Sequence, residues 1–325
     1  MQEHEKHMKT CFKLALKGKG KTAPNPMVGC VVLDKNGNIV SKGYHKKYGK
    51  NHAERDALLK LKNNEAEGGT LYVNLEPCSH YGKTPPCVDL IIEHKLARVV
   101  FAMRDPNPKV DGISKLKQAG IEVIEGILEE EAKFLNRVFI KNITTKRPYV
   151  VLKTATTMDG KIAAKTGSSK WITSQEAREE VYRMRKEFDC IMTSSNTVIA
   201  DNPTMEHKFK CIVDRYGRTN PKAKIYQQGK IYIGTKPLKE ILEDLYAQGA
   251  CSVFVECGGT LAGALLKENL IDEVYQFIAP KILNDNSGLS CFNGDDIEEI
   301  SQAKDLKIYD IQNFGKDILI KGTFL

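Results

Sequence analysis

The chain has 325 residues, of which 41% are hydrophobic and 28% charged, as is typical of a globular protein long enough for two domains. No apolar run approaches the ~18 residues of a membrane span, and the polar N-terminus lacks the apolar centre of a secretory signal, so we expect a cytoplasmic protein with no membrane partner. The net charge of +8 comes from scattered lysines, which favours phosphorylated small molecules over nucleic acid as partners.

The first half of the chain alternates between helix and strand patterns. A helix is predicted near 3–18, and strands at 27–33 and 38–44 flank Asn36-Gly37, a strong signal for a β-hairpin. Further helices are predicted at 52–62 and 86–94, after Asp111 and near 128–141, with strands at 70–75 and 97–103. A hairpin followed by helix–strand alternation predicts a mixed α/β/α sandwich.

The second half begins at Lys146-Arg147-Pro148, where proline ends one helix pattern and a buried strand follows. We therefore predict domains at 1–146 and 147–325. Thr173 and Glu176 predict a capping box before a helix that ends near Phe188. Strands are predicted at 190–194, 210–214, 230–235, 251–257, 273–280, 306–314 and 317–324, with helices near 238–248 and after Gly259. This alternation predicts a second α/β domain with its own sheet.

Two of the nine cysteines, Cys78 and Cys87, lie in a segment rich in proline, glycine and histidine, whereas the other seven stand alone among mostly apolar neighbours. With His52 they supply one imidazole and two thiolates, which leaves a tetrahedral zinc an open position for water, as in catalytic sites. Glu54 is then the expected proton carrier between the water and a leaving amine. A structural zinc site completed elsewhere in the chain is the alternative.

Five stretches of the first half, 22–31, 43–45, 51–54, 76–87 and 104–110, resemble the cytidine-deaminase-like fold. More narrowly, they resemble the deaminase half of the bifunctional deaminase/reductases of riboflavin biosynthesis. Eight residues separate Cys78 from Cys87, where nucleic-acid deaminases of this fold usually have two. The longer loop suits a phosphorylated small molecule.

This resemblance implies which residues of the first half contact the substrate. They are Asn25, His45, His80, Lys83, Asp105 and Asn107. Asn25 can form hydrogen bonds to ring or sugar groups, and Lys83 can supply charge for a phosphate. The alternatives are a turn residue for Asn25, a solvated loop residue for Lys83 and a surface histidine for His45.

The stretches 153–163, 169–174, 193–203 and 255–263, together with Arg185, resemble the reductase half of the same family, whose fold is similar to dihydrofolate reductase. The resemblance implies NADPH contacts at Thr156, Trp171, Thr197, Asp201, Gly258, Gly259 and Gly263, and substrate contacts at Lys153, Ser169, Arg185 and Glu256. Glycines let a main chain approach phosphate closely. The alternatives are a core Trp171, a tight strand–helix turn at the glycines, a strand-end lysine for Lys153 and a solvated helix arginine for Arg185.

Two parts of the second half depart from the family pattern. After Asp201-Asn202-Pro203 the family usually has Leu-Thr and then arginine, so Met205 and Lys208 are at best substitutes at the substrate site. The stretch 214–251 is also shorter than is usual. We expect these differences to alter the detail of the reductase pocket.

Taken together, the sequence predicts an α/β protein with a cytidine-deaminase-like α/β/α sandwich followed by a dihydrofolate-reductase-like α/β domain. The family implies zinc-dependent deamination of a phosphorylated diaminopyrimidine and then NADPH-dependent reduction of its ribosyl group. The expected partners are this small molecule and a second copy of the chain in a dimer through the second domain, with no nucleic acid. A deaminase with a non-catalytic second domain and an RNA-editing deaminase are the alternatives.

Overall fold

The computed structural model describes residues 2–62, 64–82, 85–294 and 297–324. The chain folds into two compact units, Met1–Thr145 and Lys146–Leu325. Both units are built from helices and β-sheet. Among the described residues, no helix combines the length and the apolar character that crossing a membrane requires.

The first unit is built around a five-stranded sheet in the order β2-β1-β3-β4-β5. The strands are β1 (Gly29–Leu33), β2 (Ile39–Tyr44), β3 (Thr70–Leu75), β4 (Arg98–Met103) and β5 (Glu122–Ile124). The helices are α1 (Gln2–Ala15), α2 (Ala53–Leu58), α3 (Cys87–Glu93), α4 (Gly112–Gln118), α5 (Glu129–Leu135) and α6 (Arg137–Thr145). Strand β1 is antiparallel to β2 and β3, whereas β3, β4 and β5 are parallel.

Helices α1 and α2 pack on opposite faces of the β1–β2 hairpin. A Cβ on Gly29 would lie 2.1 Å from the carbonyl oxygen of Cys11 in α1, and one on Gly43 would lie 2.3 Å from that of Ala53 in α2. Gly43 pairs with Cys30, the neighbour of Gly29, so the two glycines point to opposite faces. These close approaches require glycine and confirm the predicted sandwich.

The second unit contains an eight-stranded sheet in the order β10-β9-β8-β11-β6-β12-β15-β14 and a two-stranded sheet of β7 and β13. The strands are β6 (Tyr149–Thr157), β7 (Lys161–Ala163), β8 (Cys190–Ser194), β9 (Phe209–Val213), β10 (Lys230–Gly234), β11 (Ser252–Glu256), β12 (Glu273–Ala279), β13 (Leu289–Ser290), β14 (Leu306–Phe314) and β15 (Asp317–Phe324). The helices are α7 (Gln175–Arg185), α8 (Ser195–Asp201), α9 (Leu238–Ala247) and α10 (Gly259–Lys267).

Strands β10, β9, β8, β11, β6 and β12 are mutually parallel, so their carboxyl ends lie along one edge of the sheet. Strands β15 and β14 extend the sheet as an antiparallel hairpin. The parallel part is buried on both sides, as the continuous apolar runs in its strands require.

Several predicted boundaries were wrong. The helix expected near 128–141 is two helices, α5 and α6, which meet at Asn136, and the helix expected at 52–62 ends at Leu58. The N-cap of α7 is Ser174 rather than Thr173: its Oγ accepts a hydrogen bond from the Ala177 amide at 3.4 Å, and the helix ends at Arg185. Four short elements were not predicted, namely β5, β7, β13 and α8.

Candidate active sites

The three predicted zinc ligands come from three different elements and meet at one point. His52 immediately precedes α2, Cys78 follows β3 and Cys87 begins α3. His52 Nδ1 lies 3.4 Å from Cys78 Sγ and 3.5 Å from Cys87 Sγ. A tetrahedral zinc with ordinary Zn–N and Zn–S bonds holds nitrogen and sulfur ligands about 3.6 Å apart. The spacing therefore fits zinc without rearrangement.

The electrostatics of these residues also suit a metal ion. Hydrogen bonding with Cys87, and next the neighbouring His52, lowers the pKa of Cys78 and favours its thiolate, whereas the hydrogen bond with Cys78 and burial raise the pKa of Cys87. The amide of Cys87 donates a hydrogen bond to Cys78 Sγ at 3.3 Å, which orients the sulfur. Among the described residues, His52, Cys78 and Cys87 are the one group of three or more histidine, cysteine and acidic side chains close enough together to hold a metal ion.

Glu54 is the second residue of α2 and is almost fully buried, with 4% of its surface exposed. Burial, and next the charge of Cys78, raises the pKa of Glu54 to about 7. A buried carboxyl group two residues after the predicted ligand His52 has the chemistry of a group that takes up and releases a proton.

Asn25 and His45 form a pair beside the zinc ligands. His45 Nδ1 lies 2.9 Å from the main-chain oxygen of Asn51, which can only accept, so this nitrogen carries the proton. Nε2 is then the acceptor for the Asn25 amide nitrogen at 3.3 Å. The arrangement leaves Asn25 Oδ1 as an acceptor for a substrate. His45 is buried and its ring contacts that of His52, so the alternative of a surface histidine was wrong.

The other predicted substrate residues lie on two loops. Asp105 and Asn107 share a loop in which the Asn107 amide donates to Asp105 Oδ1 at 2.8 Å, and burial raises the pKa of Asp105 to about 6. His80 is exposed on the loop that follows Cys78. Lys83 lies outside the described residues, so its predicted contact stays a prediction.

Glu76 was not predicted from the sequence, but its side chain connects these two loops by hydrogen bonds. Its Oε1 accepts hydrogen bonds from the amides of Gly112 at 2.9 Å and Ile113 at 3.3 Å, and its Oε2 accepts one from Asp105 at 3.3 Å. The sequence did offer a signal for Glu76, because a charged residue directly after the apolar strand 70–75 needs partners if it is buried. In the structure Glu76 is buried.

In the second unit, Lys153, Arg185 and Glu256 form a buried group of three charges. Strands β6 and β11 place Lys153 opposite Glu256. The Arg185 guanidinium binds both Glu256 oxygens, at 2.5 and 3.0 Å, and Lys153 Nζ lies 3.6 Å from Oε2. Burial opposes ionisation of Glu256, but the two cations outweigh it and lower its pKa. The alternative of a solvated helix arginine for Arg185 was therefore wrong.

Trp171 and Ser169 line an open cleft of about 370 Å³ that also contains Lys161 and Lys281. Trp171 is 61% exposed, so it does not belong to the core. One face of its ring contacts the Arg178 guanidinium, 4.3 Å from the ring centroid. A fixed, exposed indole beside two lysines is suited to stacking on a ring that carries negative charge.

The other predicted cofactor residues lie near the carboxyl ends of the parallel strands. Thr156 is fully buried, 3.4 Å from the Gln276 amide nitrogen. The Thr197 hydroxyl lies 3.2 Å from that of Ser194, and the exposed Asp201 ends α8. Their contacts with NADPH stay predictions.

The strand–helix turn of the second unit shows a different use of glycine from the one predicted. Gly258 is open, but a Cβ on Gly259 would lie 2.4 Å from the Ser290 oxygen, and one on Gly263 would lie 1.7 Å from the Asn293 oxygen. Gly259 and Gly263 therefore allow the main chain at 290–293 to approach helix α10 closely. Contact of these glycines with NADPH stays a prediction.

Met205 and Lys208, the two residues expected to substitute for the family's usual ones at the substrate site, lie in different surroundings. Met205 is 6% exposed and packs with Ile191, Val198 and Ile212, so its side chain belongs to the core rather than to the substrate pocket. Lys208 is exposed just before β9. No pattern in the sequence showed that the chain turns inward at Met205, where φ is 41°.

Two family models match the chain. Residues 1–103 match the cytidine and deoxycytidylate deaminase zinc-binding region, and residues 148–320 match the RibD C-terminal domain. The riboflavin biosynthesis protein RibD of Aquifex aeolicus is 40% identical over 97% of this chain and 96% of its own length. That of Escherichia coli is 37% identical over 98% of each.

Solved structures also resemble the whole chain. RibD of Acinetobacter baumannii superposes with a TM-score of 0.88 at 36% identity and covers 100% of this chain and 99% of its own. A diaminohydroxyphosphoribosylaminopyrimidine deaminase/5-amino-6-(5-phosphoribosylamino)uracil reductase of Thermotoga maritima superposes with a TM-score of 0.86 at 35% identity, with the same coverage. These relatives confirm the predicted fold class, the zinc-dependent deaminase and the NADPH-dependent reductase. The chain therefore belongs to the RibD family of bifunctional deaminase/reductases of riboflavin biosynthesis.

Proposed function

We propose that residues 1–146 hydrolyse the 2-amino group of 2,5-diamino-6-(5-phosphoribosylamino)pyrimidin-4(3H)-one and that residues 147–325 reduce the ribosyl group of the product with NADPH. The observation that carries the first step is the convergence of His52, Cys78 and Cys87 beside the buried carboxyl group of Glu54. The second step is supported by the group of three charges at Glu256 and by the cleft beside Trp171.

In the first step, Glu54 takes a proton from the attacking water and delivers a proton to the leaving amine, so that ammonia is released and a ring carbonyl replaces the amino group. His52, Cys78 and Cys87 would hold a zinc ion, which would supply Lewis acidity towards the attacking water. The burial of Glu54 keeps bulk water away from the proton that it carries.

Substrate recognition in the first unit is assigned to residues on the loops around the zinc ligands. These are Asn25, His45, His80, Lys83, Asp105 and Asn107. The amide of Asn25, oriented by His45, accepts a hydrogen bond from the ring or sugar, and Glu76 keeps Asp105 and Asn107 beside Cys78. Lys83 supplies positive charge for the phosphate.

In the second step, hydride adds to C1′ of the ring-opened sugar imine and the nitrogen takes up a proton, which leaves a ribitylamino phosphate. NADPH supplies the hydride. Lys153 and Arg185 bind sugar or phosphate oxygens, with Glu256 holding both cations in place, and Ser169 and Lys208 provide further substrate contacts. Cofactor contacts are assigned to Thr156, Trp171, Thr197, Asp201, Gly258, Gly259 and Gly263.

The chain also forms a homodimer through its second unit in this proposal. Support comes from the hairpin of β14 and β15 at the sheet edge, where Ile308, Ile311 and Ile318 are 45%, 64% and 39% exposed. Exposed apolar side chains on an edge strand are typical of a surface that another strand or chain covers. Light scattering on the purified protein gives the mass, and a monomer at micromolar concentration contradicts this part of the proposal.

The proposal includes a cytoplasmic location and no nucleic-acid or membrane partner. Of the seven lone cysteines, Cys11, Cys30, Cys190 and Cys211 are buried free thiols, as is typical of a reducing compartment.

Mass spectrometry of a reaction with the diaminopyrimidine phosphate and NADPH tests both steps. Deamination adds ~1 Da and reduction a further ~2 Da, because oxygen replaces NH and then two hydrogens are added. A product that stops after the first gain favours a non-catalytic second unit. Deamination of an RNA base without either product favours the RNA-editing alternative.

Binding of NADPH is testable without turnover, because Trp171 is the one tryptophan in the chain. Stacking of the cofactor on its exposed ring is expected to quench the indole fluorescence in a saturable way. A titration without quenching contradicts the assignment of Trp171.

A further inference from the structure

Two loops of the first unit, 16–25 and 44–52, carry positive charge without any acidic residue. Six lysines lie on them, and we call this set the lysine collar. Its members are Lys17, Lys19, Lys21, Lys46, Lys47 and Lys50, all of them exposed. None of these lysines belongs to the substrate contacts assigned above.

The two loops are in direct contact, so the six lysines form one surface. The Tyr48 amide donates a hydrogen bond to the Lys21 oxygen at 3.0 Å. A Cβ on Gly18 would lie 2.6 Å from the oxygen of His45, which shows how closely the main chains approach. The Nζ atoms of Lys17 and Lys46 lie 6.0 and 5.8 Å from the centroid of the Tyr44 ring.

The same loops carry the substrate-facing residues of the deaminase site. Asn25 ends the first loop, and His45 and Asn51, which hydrogen bond to each other, lie on the second. The His45 ring is 5.6 Å from that of the zinc ligand His52. The lysine collar therefore lies on the same two loops as Asn25 and His45, beside the predicted zinc ligand His52.

Half of the lysine collar has no ion-pair partner among the described residues. Asp56 lies 2.9 Å from Lys46 Nζ and is shared with Lys60. Lys21, Lys47 and Lys50 form no ion pair with any residue in the described parts of the chain. The ammonium groups of Lys21, Lys47 and Lys50 therefore remain available to an anion in solution.

We propose that the lysine collar collects the phosphate-bearing substrate of the deaminase by electrostatic steering, an inference that rests on the proposed function. Exposed ion pairs add little to the stability of a complex, but a field of one sign around a cleft raises association rates by roughly 10- to 1000-fold. A phosphate monoester carries about −1.5 to −2 charges at pH 7. The collar acts on encounter, before Asn25 and the zinc site bind the ring.

The test compares two triple variants of the full-length protein with the same loss of charge. Lys21→Gln/Lys47→Gln/Lys50→Gln removes half of the lysine collar. Lys35→Gln/Lys62→Gln/Lys117→Gln removes three exposed lysines elsewhere in the same unit. Ammonia release from the diaminopyrimidine phosphate is measured from about 0.02 to 0.3 M salt, across which the screening length falls several-fold.

We expect the collar variant to lose roughly 5- to 10-fold in kcat/KM at low salt, with unchanged kcat and zinc content. The control variant stays within about twofold of the unmodified protein, and the difference between the variants disappears at high salt because the charges are screened. The dephosphorylated substrate shows no difference between the variants at any salt concentration.

Equal losses in both variants, or an equal loss with the dephosphorylated substrate, overturn the role of the lysine collar. Salt-sensitive RNA binding that only the collar variant loses also overturns it, in favour of a nucleic-acid surface. Turnover by the unmodified protein distinguishes failure of the proposed function from failure of the lysine collar's role alone. If it is absent, the proposed function fails and the collar's role fails with it; if it is present with indistinguishable variants, only the collar's role fails.

Discussion

The side chain of Asn136 binds both polar groups of one main-chain residue, Met27. Asn136 Oδ1 accepts a hydrogen bond from the Met27 amide at 2.8 Å, and Nδ2 donates to the Met27 oxygen at 3.1 Å. Asn74 binds the same segment, through the Met27 oxygen at 2.9 Å and the Gly29 amide at 2.7 Å. Two buried amides thus hold the chain two residues after Asn25, for which a substrate contact is proposed.

Asn136→Asp is expected to impair deamination and leave reduction intact. Aspartate cannot donate to the Met27 oxygen and places a second acceptor against it, which costs about 1–3 kcal/mol although Asn74 still donates to that oxygen. We expect a loss of roughly 10- to 100-fold in the kcat/KM of ammonia release, mainly through KM. Zinc content and the reduction of added deaminated intermediate report whether each unit is still folded.

Lys133→Ala on α5 is the matched control, since Lys133 forms only exposed ion pairs. It is expected to change neither kcat nor KM. A normal KM in Asn136→Asp would show that Asn25 does not depend on this clamp.

Glu54→Gln is expected to abolish ammonia release while zinc remains bound. The amide has nearly the same shape but cannot take up a proton, and loss of a general acid–base group typically costs about 10²- to 10⁴-fold in rate. Atomic absorption gives the zinc content, and NADPH oxidation with added deaminated intermediate checks the second unit. The role assigned to Glu54 is wrong if zinc is lost or if ammonia release persists at the normal rate.

Much of the fold and of the zinc site was predictable because the signals are local. Alternating or continuous apolar runs predicted the long strands, and His52, Glu54, Cys78 and Cys87 were found from their spacing and their neighbours. The resemblance to a family supplied the substrate and cofactor residues, which composition and periodicity do not reveal.

The residues that sequence reasoning missed act over long separations. Asn136 and Met27 are 109 positions apart, and Glu76 and Gly112 are 36 apart, so nothing near either residue indicates its partner. Asn74 was also missed, although an asparagine inside the apolar strand β3 is a local signal that buried partners are required. Met205 was misassigned because burial depends on how the chain turns between α8 and β9, which tertiary packing decides.

Glu256→Gln is expected to destabilise the second unit and to remove part of its acid sensitivity. The change leaves the buried cations Lys153 and Arg185 without their carboxylate, and removal of one partner of a buried ion pair is strongly destabilising. Lys153 and Arg185 lower the pKa of Glu256 below 4.5 despite its burial. The stabilisation is therefore complete above pH 4.5 and is lost as pH falls through the lowered value.

Urea unfolding between pH 3 and 7 checks this prediction. We expect the variant to be less stable than the unmodified protein at pH 7 and the difference to shrink as Glu256 becomes protonated. Glu179→Gln on the exposed side of α7 is the control and is expected to have little effect. A difference that is constant with pH would mean that Glu256 does not titrate in this range.

Lys210→Met is expected to stabilise the second unit. Lys210 lies on β9 with 1% of its surface exposed, packed within the cluster of Ile191, Val198 and Ile225. Its Nζ donates one hydrogen bond, to the Ile225 oxygen at 2.5 Å. Burial lowers the pKa of Lys210, so the folded state binds its proton less tightly than the unfolded chain does.

The sign of the effect follows from two opposed contributions. A buried ammonium costs several kcal/mol in desolvation, whereas loss of the single hydrogen bond to Ile225 costs about 1–3 kcal/mol. Methionine fills a similar volume without charge, so we expect the free energy of unfolding to rise by about 1–2 kcal/mol at pH 7. Because the folded-state pKa of Lys210 is lowered, the advantage of methionine should decrease as pH rises towards 10.5. Lys222→Met, at an exposed position, is the control, and a Lys210→Met protein less stable than this control would show that the Lys210 charge has a stabilising partner.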